Sequence, residues 1–113
     1  PVPTVREPDG LALSSRNERL GTAERKAAPV LYAGLRVALE RLEHGERDAE
    51  ALRQAALATI AREPLARVEY LEVVDARTMQ PVARVEGPVR IAAAAWLGGV
   101  RLIDNVGFEP PNK

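Results

Sequence analysis

Two consecutive serines followed by an arginine, Ser14, Ser15 and Arg16, are the side chains in this sequence best suited to chemistry. They lie in a glycine-containing stretch that precedes a predicted helix. Serine hydroxyls and backbone N–H groups donate hydrogen bonds to phosphate oxygens, and a guanidinium can hold two oxygens at once. Such a stretch suits phosphate binding, but taken alone it is more often a solvated turn, so both interpretations stay open on composition.

The bulk composition limits the class of protein. A chain of 113 residues forms one domain, and 46% hydrophobic with 28% charged residues is typical of globular proteins. The 16 basic and 16 acidic side chains cancel, which argues against a nucleic-acid partner. No apolar run approaches the roughly 20 residues that span a bilayer, and no signal peptide is visible. We therefore expect a cytoplasmic protein without a membrane partner.

Metal chemistry has little support in the sequence. There is no cysteine, so neither a disulfide framework nor a thiolate site is expected. The single histidine, His44, cannot build a zinc centre alone. It stands beside Gly45 at the predicted end of a helix, which favours an exposed cap residue. We predict no metal ligands in this chain.

Two helices are predicted after an N-terminal loop. Prolines and glycines in residues 1–21 interrupt any helical or strand periodicity, so this stretch is expected to be an ordered loop. Leucines at three- and four-residue spacing predict a helix from a Thr22 N-cap to about Glu43, with a kink or fresh start at Pro29. A second helix is predicted from about Asp48 to Arg62, since Leu52, Ala56 and Ile60 recur every four residues.

The rest of the chain predicts strands. Arg67 to Val74 is rich in β-branched and aromatic residues, and Val89 to Trp96 and Val100 to Val106 flank a Gly98-Gly99 turn. The alanines between 92 and 95 favour helix by propensity, but their neighbours favour strand. Two helices followed by three strands predict an α+β fold, with two main helices packed on one face of a small three-stranded antiparallel sheet.

The stretch from Pro3 to Asn17, read as P-T-V-R-E-P-D-G-L-A-L-S-S-R-N, resembles the opening of the C-terminal domain of pantothenate synthetases (pantoate–β-alanine ligases). In that family the pattern is roughly V-P-T-[IV]-R-E-x-D-G-L-A-[ML]-S-S-R-N. Tyr70 to Asp75 and Gly99 to Asn105 are similar to later parts of the same family, in the expected order. On this resemblance, residues 1–113 are one C-terminal lid domain, residues 1–21 are its ATP-contacting segment, and an N-terminal Rossmann domain is absent.

The resemblance implies a two-step ligation. ATP and pantoate form pantoyl adenylate and pyrophosphate, and the β-alanine amine then releases AMP and gives pantothenate, which serves coenzyme A biosynthesis. Ser14, Ser15 and Arg16 are expected to contact the ATP phosphates, with Mg²⁺ held mainly through those phosphates. Val5 and Leu13 are expected beside the adenine. Leu13 replaces a frequent methionine, which is a volume-conserving change.

Part of the family's machinery is missing from this sequence. The His-x-Gly-His motif and the pantoate-binding glutamines belong to the N-terminal domain, so this chain alone is expected to be inactive. Because it begins at Pro1, it is expected to be part of a longer ligase, a homodimer as is common in the family. The rival hypotheses are a stand-alone protein-interaction module and another adenylyl-transferring enzyme with the same loop.

Five other polar residues have open roles. Arg6, Glu7 and Asp9 either order the loop through an ion pair or position the domain against the missing one. Asp104 and Asn105 resemble a polar pair at a strand end, where side-chain bonding to nearby backbone is expected.

Overall fold

The fold is α+β, as predicted. The structure is a computed structural model, and it describes residues 5–8, 10–11 and 19–110. Within them the chain forms α1 (Thr22–Ala27), α2 (Val30–Glu43), α3 (Ala49–Ile60), β1 (Ala66–Asp75), β2 (Val89–Leu97) and β3 (Val100–Phe108). Of these helices, none has the length and apolar character needed to cross a bilayer.

The helix boundaries follow local signals, with one exception. Pro29 separates α1 from α2, which is the fresh start predicted there. The Asp48 side chain caps α3 by accepting from the N–H groups of Glu50 and Ala51 at 3.0 and 3.4 Å. The prediction of a Thr22 cap was wrong. Gly21 is the N-cap of α1 and Thr22 is its first helical residue, without a side-chain capping bond.

The two longer helices pack in close contact. A Cβ placed on Gly34 of α2 would lie 2.6 Å from Cγ1 of Ile60 and 2.9 Å from the backbone oxygen of Ala56. Only a glycine allows this approach of α2 to α3. Leu35, Leu42 and Leu52 of the same two helices are fully buried, so the helices form one layer.

The sheet has the strand order β1-β2-β3, and both pairings are antiparallel. Ile91 of β2 faces Val73 of β1 on one side and Val106 of β3 on the other. Gly98 has a positive φ of 61° in the turn that joins β2 to β3. The alanine run belongs to the central strand, which confirms the strand prediction over the helical propensity of alanine.

One face of the sheet packs against the helices. Its residues in β2 are Val89, Ile91, Ala93, Ala95 and Leu97, all of which are buried in the core. Residues 100, 102 and 104 of β3 lie on the same face, because side chains alternate along a strand. Asp104 is therefore the one buried charged residue among those the structure describes.

Asp104 and Asn105 are not at a strand end, contrary to the prediction. The strand β3 continues to Phe108, so both residues lie within it, paired to Ala93 and Ala92 of β2. Their side chains point to opposite faces of the sheet. The expected bonding to nearby backbone is present, since Asp104 Oδ1 accepts from the Asn105 N–H. Each side chain also makes a longer-range contact, Asp104 with Arg6 on one face and Asn105 with Arg90 on the other.

A register shift in β1 affects the outer face. Val68 pairs with Ala95 and Tyr70 with Ala94, so Glu69 is the extra residue of a β-bulge. The bulge directs Glu69 towards Trp96 and Arg101, whose side-chain nitrogens donate to its carboxylate.

Candidate functional site

The residues proposed to contact a nucleotide are described only in part. Leu13, Ser14, Ser15 and Arg16 lie outside the described residues, as does Asp9. Val5 is described, and 61% of its surface is exposed. The structure therefore informs the candidate site through residues 5–8 and 10–11, which flank those positions along the chain.

Arg6 is the centre of the contacts in this region. Its Nη2 donates to Oδ1 of Asp104 at 2.8 Å, and its Nη1 donates to Oδ2 of the same carboxylate. The side chains are 16% and 4% exposed, respectively. This is a bidentate arginine–carboxylate pair, the strongest geometry available to these groups. It joins two residues that are 98 positions apart.

Both oxygens of the Asp104 carboxylate accept hydrogen bonds. Oδ1 also accepts from the Asn105 backbone N–H at 2.8 Å. Nη1 of Arg6 also donates to the backbone oxygen of Gly10, at 3.1 Å. The guanidinium thereby links β3 to the N-terminal turn, and its positive charge is balanced within the domain.

Tyr32 of α2 supports the same guanidinium. The Arg6 Cζ atom lies 3.8 Å from the centroid of the Tyr32 ring, a cation–π contact. Gly10 packs on the same ring, since a Cβ at that position would lie 2.5 Å from Tyr32 Cδ2. Gly10 also has φ of +96°, a conformation that favours glycine. A hydrogen bond with the Tyr32 side chain raises the pKa of Arg36, one turn further along α2.

Residues 5–8 and 10–11 belong to a turn closed by backbone hydrogen bonds. The Glu7 N–H donates to the Leu11 oxygen at 2.8 Å, and the Gly10 N–H donates to the Glu7 oxygen at 2.9 Å. The Glu7 carboxylate pairs with Arg25 of α1, and Leu11 is buried in the core. Of the two alternatives for Arg6 and Glu7, the structure supports ordering through ion pairs inside the domain.

The remaining candidates stay apart from this turn. His44 is the exposed C-cap of α2, with Nδ1 2.7 Å from the Glu40 oxygen, which confirms the cap prediction. Within the part of the chain that the structure describes, no cluster of three or more histidine, cysteine or acidic side chains is placed to hold a metal. Asn105 accepts from Arg90 at 2.9 Å on the outer face of the sheet.

The outer face carries a second ion pair. Arg101 Nη2 lies 2.8 Å from Glu69 Oε2, and these side chains are 33% and 39% exposed. Hydrogen bonds from Arg101, and then from Trp96, lower the pKa of the Glu69 carboxyl. This pair lies across the sheet from Asp104, because residue 101 faces outwards in β3.

Sequence reasoning missed Asp104 and Tyr32 as parts of one cluster. A signal for Asp104 was present, because Val100, Leu102 and Val106 occupy alternate positions that include residue 104. That alternation places an aspartate on an apolar face, where it requires a cationic partner. No comparable signal identified Tyr32 or chose Arg6 as that partner.

Comparison with known families gives one consistent result. The family model for pantoate-beta-alanine ligase matches residues 1–107. A pantothenate synthetase of Clostridium botulinum is 44% identical over 95% of this chain and 38% of its own length. One from Caldicellulosiruptor saccharolyticus is 46% identical over 96% of this chain and 39% of its own length.

Comparison of the folds agrees with this result. A crystal structure of pantothenate synthetase from Thermus thermophilus superposes with a TM-score of 0.88 at 39% identity. The match covers 93% of this chain and 38% of that one. The present chain thus spans well under half the length of the relatives it matches.

Proposed function

The chain belongs to the pantoate-beta-alanine ligase family, and from this we propose that it forms the C-terminal, ATP-contacting part of a pantothenate synthetase. The main support is the family match, which runs through residues 1–107 and therefore includes the whole Ser14–Arg16 patch. The identities of 44% and 46% to named pantothenate synthetases extend over nearly the entire chain.

The proposed reaction has two steps. The pantoate carboxylate attacks the α-phosphorus of ATP, which forms pantoyl adenylate and releases pyrophosphate. The β-alanine amine then attacks the acyl carbon, loses a proton and releases AMP to give pantothenate. Negative charge builds on the phosphate oxygens in the first step, so hydroxyl and guanidinium donors accelerate it by stabilising that charge.

In this proposal Ser14, Ser15 and Arg16 donate to the ATP phosphates, while Val5 and Leu13 lie beside the adenine. The exposure of Val5, at 61%, supports this role because an adenine contact needs an accessible surface. Mg²⁺ is held mainly through the ATP phosphates and neutralises part of their charge. The chain's own contribution is then a set of donors that follow, along the sequence, a turn anchored to β3 and α2.

The rest of the ligase supplies what this chain lacks. We propose that an N-terminal Rossmann domain brings the second ATP motif and the pantoate site, and that the complete cytoplasmic enzyme is a homodimer. The 113-residue chain is then inactive alone and binds ATP weakly, because half of the nucleotide's contacts are missing.

Replacing Arg16 by alanine tests this proposal in a full-length ligase that contains this sequence. We expect pantoyl-adenylate formation to fall by about 100-fold, as is typical when one charge-stabilising donor is lost. The measurement is pyrophosphate release in single turnover with saturating ATP. Arg62→Ala is the matched control, since Arg62 is an exposed arginine in the turn that follows α3.

Unchanged adenylate formation in the Arg16→Ala enzyme would contradict the proposed role of the patch. Titration calorimetry on the 113-residue chain is a separate test. Micromolar or tighter binding of ATP would overturn the proposed division of the site between two domains. A full-length ligase without any pantoate-dependent exchange of pyrophosphate into ATP would favour an interaction module instead.

A further inference from the structure

The Arg6–Asp104 pair holds the turn of residues 5–8 and 10–11, which precedes the proposed nucleotide contacts along the chain. We propose that Arg6 and Asp104 are positioning residues for ATP. They fix where the nucleotide-contacting segment joins the domain, with Tyr32 as the surface on which Arg6 rests. This inference depends on the proposed function, because it assigns the pair to the same ATP contacts.

The charge balance shows that Arg6 acts through its neighbours. Both carboxylate oxygens of Asp104 accept from it, and the side chain is only 16% exposed. The neighbouring carboxylate offsets the positive charge of a guanidinium paired in this way, so its attraction for a phosphate is weak. Arg6 is therefore suited to holding the backbone in place and not to touching the nucleotide.

The contacts of Arg6 restrain the turn on both sides. Val5, the exposed residue assigned to the adenine, is covalently next to Arg6, so the fixed guanidinium limits where Val5 lies. On the other side Nη1 holds the Gly10 oxygen at 3.1 Å, and Leu11 enters the core immediately afterwards. The segment that follows thus begins from a point fixed to β3 and α2.

Stability alone is a poor explanation for this pair. Burying two charges has a desolvation cost that often cancels their attraction, and apolar replacements are frequently as stable. An apolar pair cannot supply the hydrogen bond to the Gly10 oxygen together with the cation–π contact with Tyr32, both of which the planar, multidentate guanidinium provides. Lysine, with a single ammonium group, cannot reproduce it either.

The test uses Arg6→Lys and Arg6→Gln in a full-length ligase that contains this sequence. A shift of about 1 Å in a bound group can reduce a rate by roughly 100-fold. We expect the KM for ATP to rise about 10-fold or more in Arg6→Gln. The rise should be smaller in Arg6→Lys, which keeps the charge. The KM for β-alanine should stay within about 2-fold, because the amine enters only after the adenylate has formed.

Two controls separate positioning from stability. Arg101→Gln removes the arginine of the outer ion pair and should leave the KM for ATP unchanged. Ile60→Val trims a fully buried side chain, lowers the melting temperature, and should also leave that KM unchanged. A rise in the KM for ATP in Ile60→Val equal to that in Arg6→Gln would overturn the proposal, since loss of stability would then suffice.

A second readout uses the 113-residue chain itself. Arg6→Lys should increase hydrogen exchange at the hydrogen-bonded amides of Glu7 and Gly10, with the amides of α3 unchanged. This variant retains the charge, so it decides the question if Arg6→Gln fails to fold. Unchanged exchange at both amides, or an unchanged KM for ATP in the folded Arg6 variants, would overturn the positioning role.

The Arg16→Ala enzyme distinguishes the two possible failures. Loss of adenylate formation in Arg16→Ala together with a normal KM for ATP in the Arg6 variants would reject only this inference. Normal adenylate formation in Arg16→Ala would reject the proposed function on which the inference rests.

Discussion

Two arginine–carboxylate pairs lie on opposite faces of the same sheet, and they differ in burial. Arg6 and Asp104 meet on the helix side, where the Asp104 side chain is 4% exposed. Arg101 and Glu69 meet on the outer face, where both side chains are about one-third exposed. The chemistry of the pairs is the same, so their surroundings decide what each one does.

The outer pair has water as an alternative partner. Each of its members can be solvated if the other is removed, so the pair adds little to stability. The inner pair has no such alternative, because removing one member leaves the other buried without a counter-charge. The inner pair also joins the N-terminal turn to β3, whereas the outer pair joins β1 to β3 across β2, and both of those strands are already hydrogen-bonded to β2.

Breaking the inner pair should have the largest effect. Asp104→Asn keeps the shape of the side chain but leaves Arg6 without its counter-charge, and we expect a loss of about 3 kcal/mol in the free energy of unfolding. Urea denaturation at neutral pH measures this loss. Asn105→Asp, which adds a carboxylate to the next residue beside Arg90, is the control and should cost far less. A loss below about 1 kcal/mol for Asp104→Asn would contradict this prediction, because the buried pair would then contribute no more to stability than an exposed pair does.

Disturbing the turn without touching a charge should have an intermediate effect. Gly10→Ala forces an alanine to φ of +96° and places its Cβ 2.5 Å from the Tyr32 ring. We expect a loss of about 2 kcal/mol, measured by the same urea denaturation. The control is Gly87→Ala, because a Cβ at Gly87 meets no atom within 4 Å. Equal stability of the two variants would show that the turn does not rest on Tyr32.

Breaking the outer pair should have the smallest effect, and its pH dependence sharpens the comparison. Because the pKa of Glu69 is lowered, its contribution to stability is present above the ordinary glutamate pKa and is lost as the pH falls through the lowered value. The stability difference between the wild type and Glu69→Gln should therefore shrink in acid. Denaturation midpoints across that pH range measure it.

An NMR titration follows the Glu69 carboxyl directly. Its pKa should rise towards the ordinary value in Arg101→Gln, which removes the first cause of the shift, and should not change in Glu72→Gln. Two outcomes would contradict this account: a stability difference that grows as the pH falls, or a Glu69 pKa that is the same in Arg101→Gln as in the wild type.

Much of the fold followed from the sequence because its signals are local. The four-residue repeat of Leu52, Ala56 and Ile60 identified α3, and Pro29 identified the break between α1 and α2. The Gly-Gly turn identified the β2–β3 hairpin. Thr22 shows where a local signal fails, because the first helical turn began one residue earlier than its side chain suggested.

The candidate site followed from the sequence in a different way. Ser14, Ser15 and Arg16 were selected by residue type and by resemblance to a family, and their roles remain predictions. The turn that precedes them could not be assigned, since Arg6 and Glu7 fitted two alternatives equally well. The choice between these depended on which side chains of α1, α2 and β3 lay within reach.

The sequence by itself determined the helices, the strands and the family, because each depends on neighbouring residues or on the order of residue types. Only the tertiary structure brought Arg6 to Asp104 and placed Tyr32 beneath the guanidinium. Those contacts join residues 98 positions apart. Whether such residues meet is decided by strand register and by the packing of a turn on a helix, which no local pattern encodes.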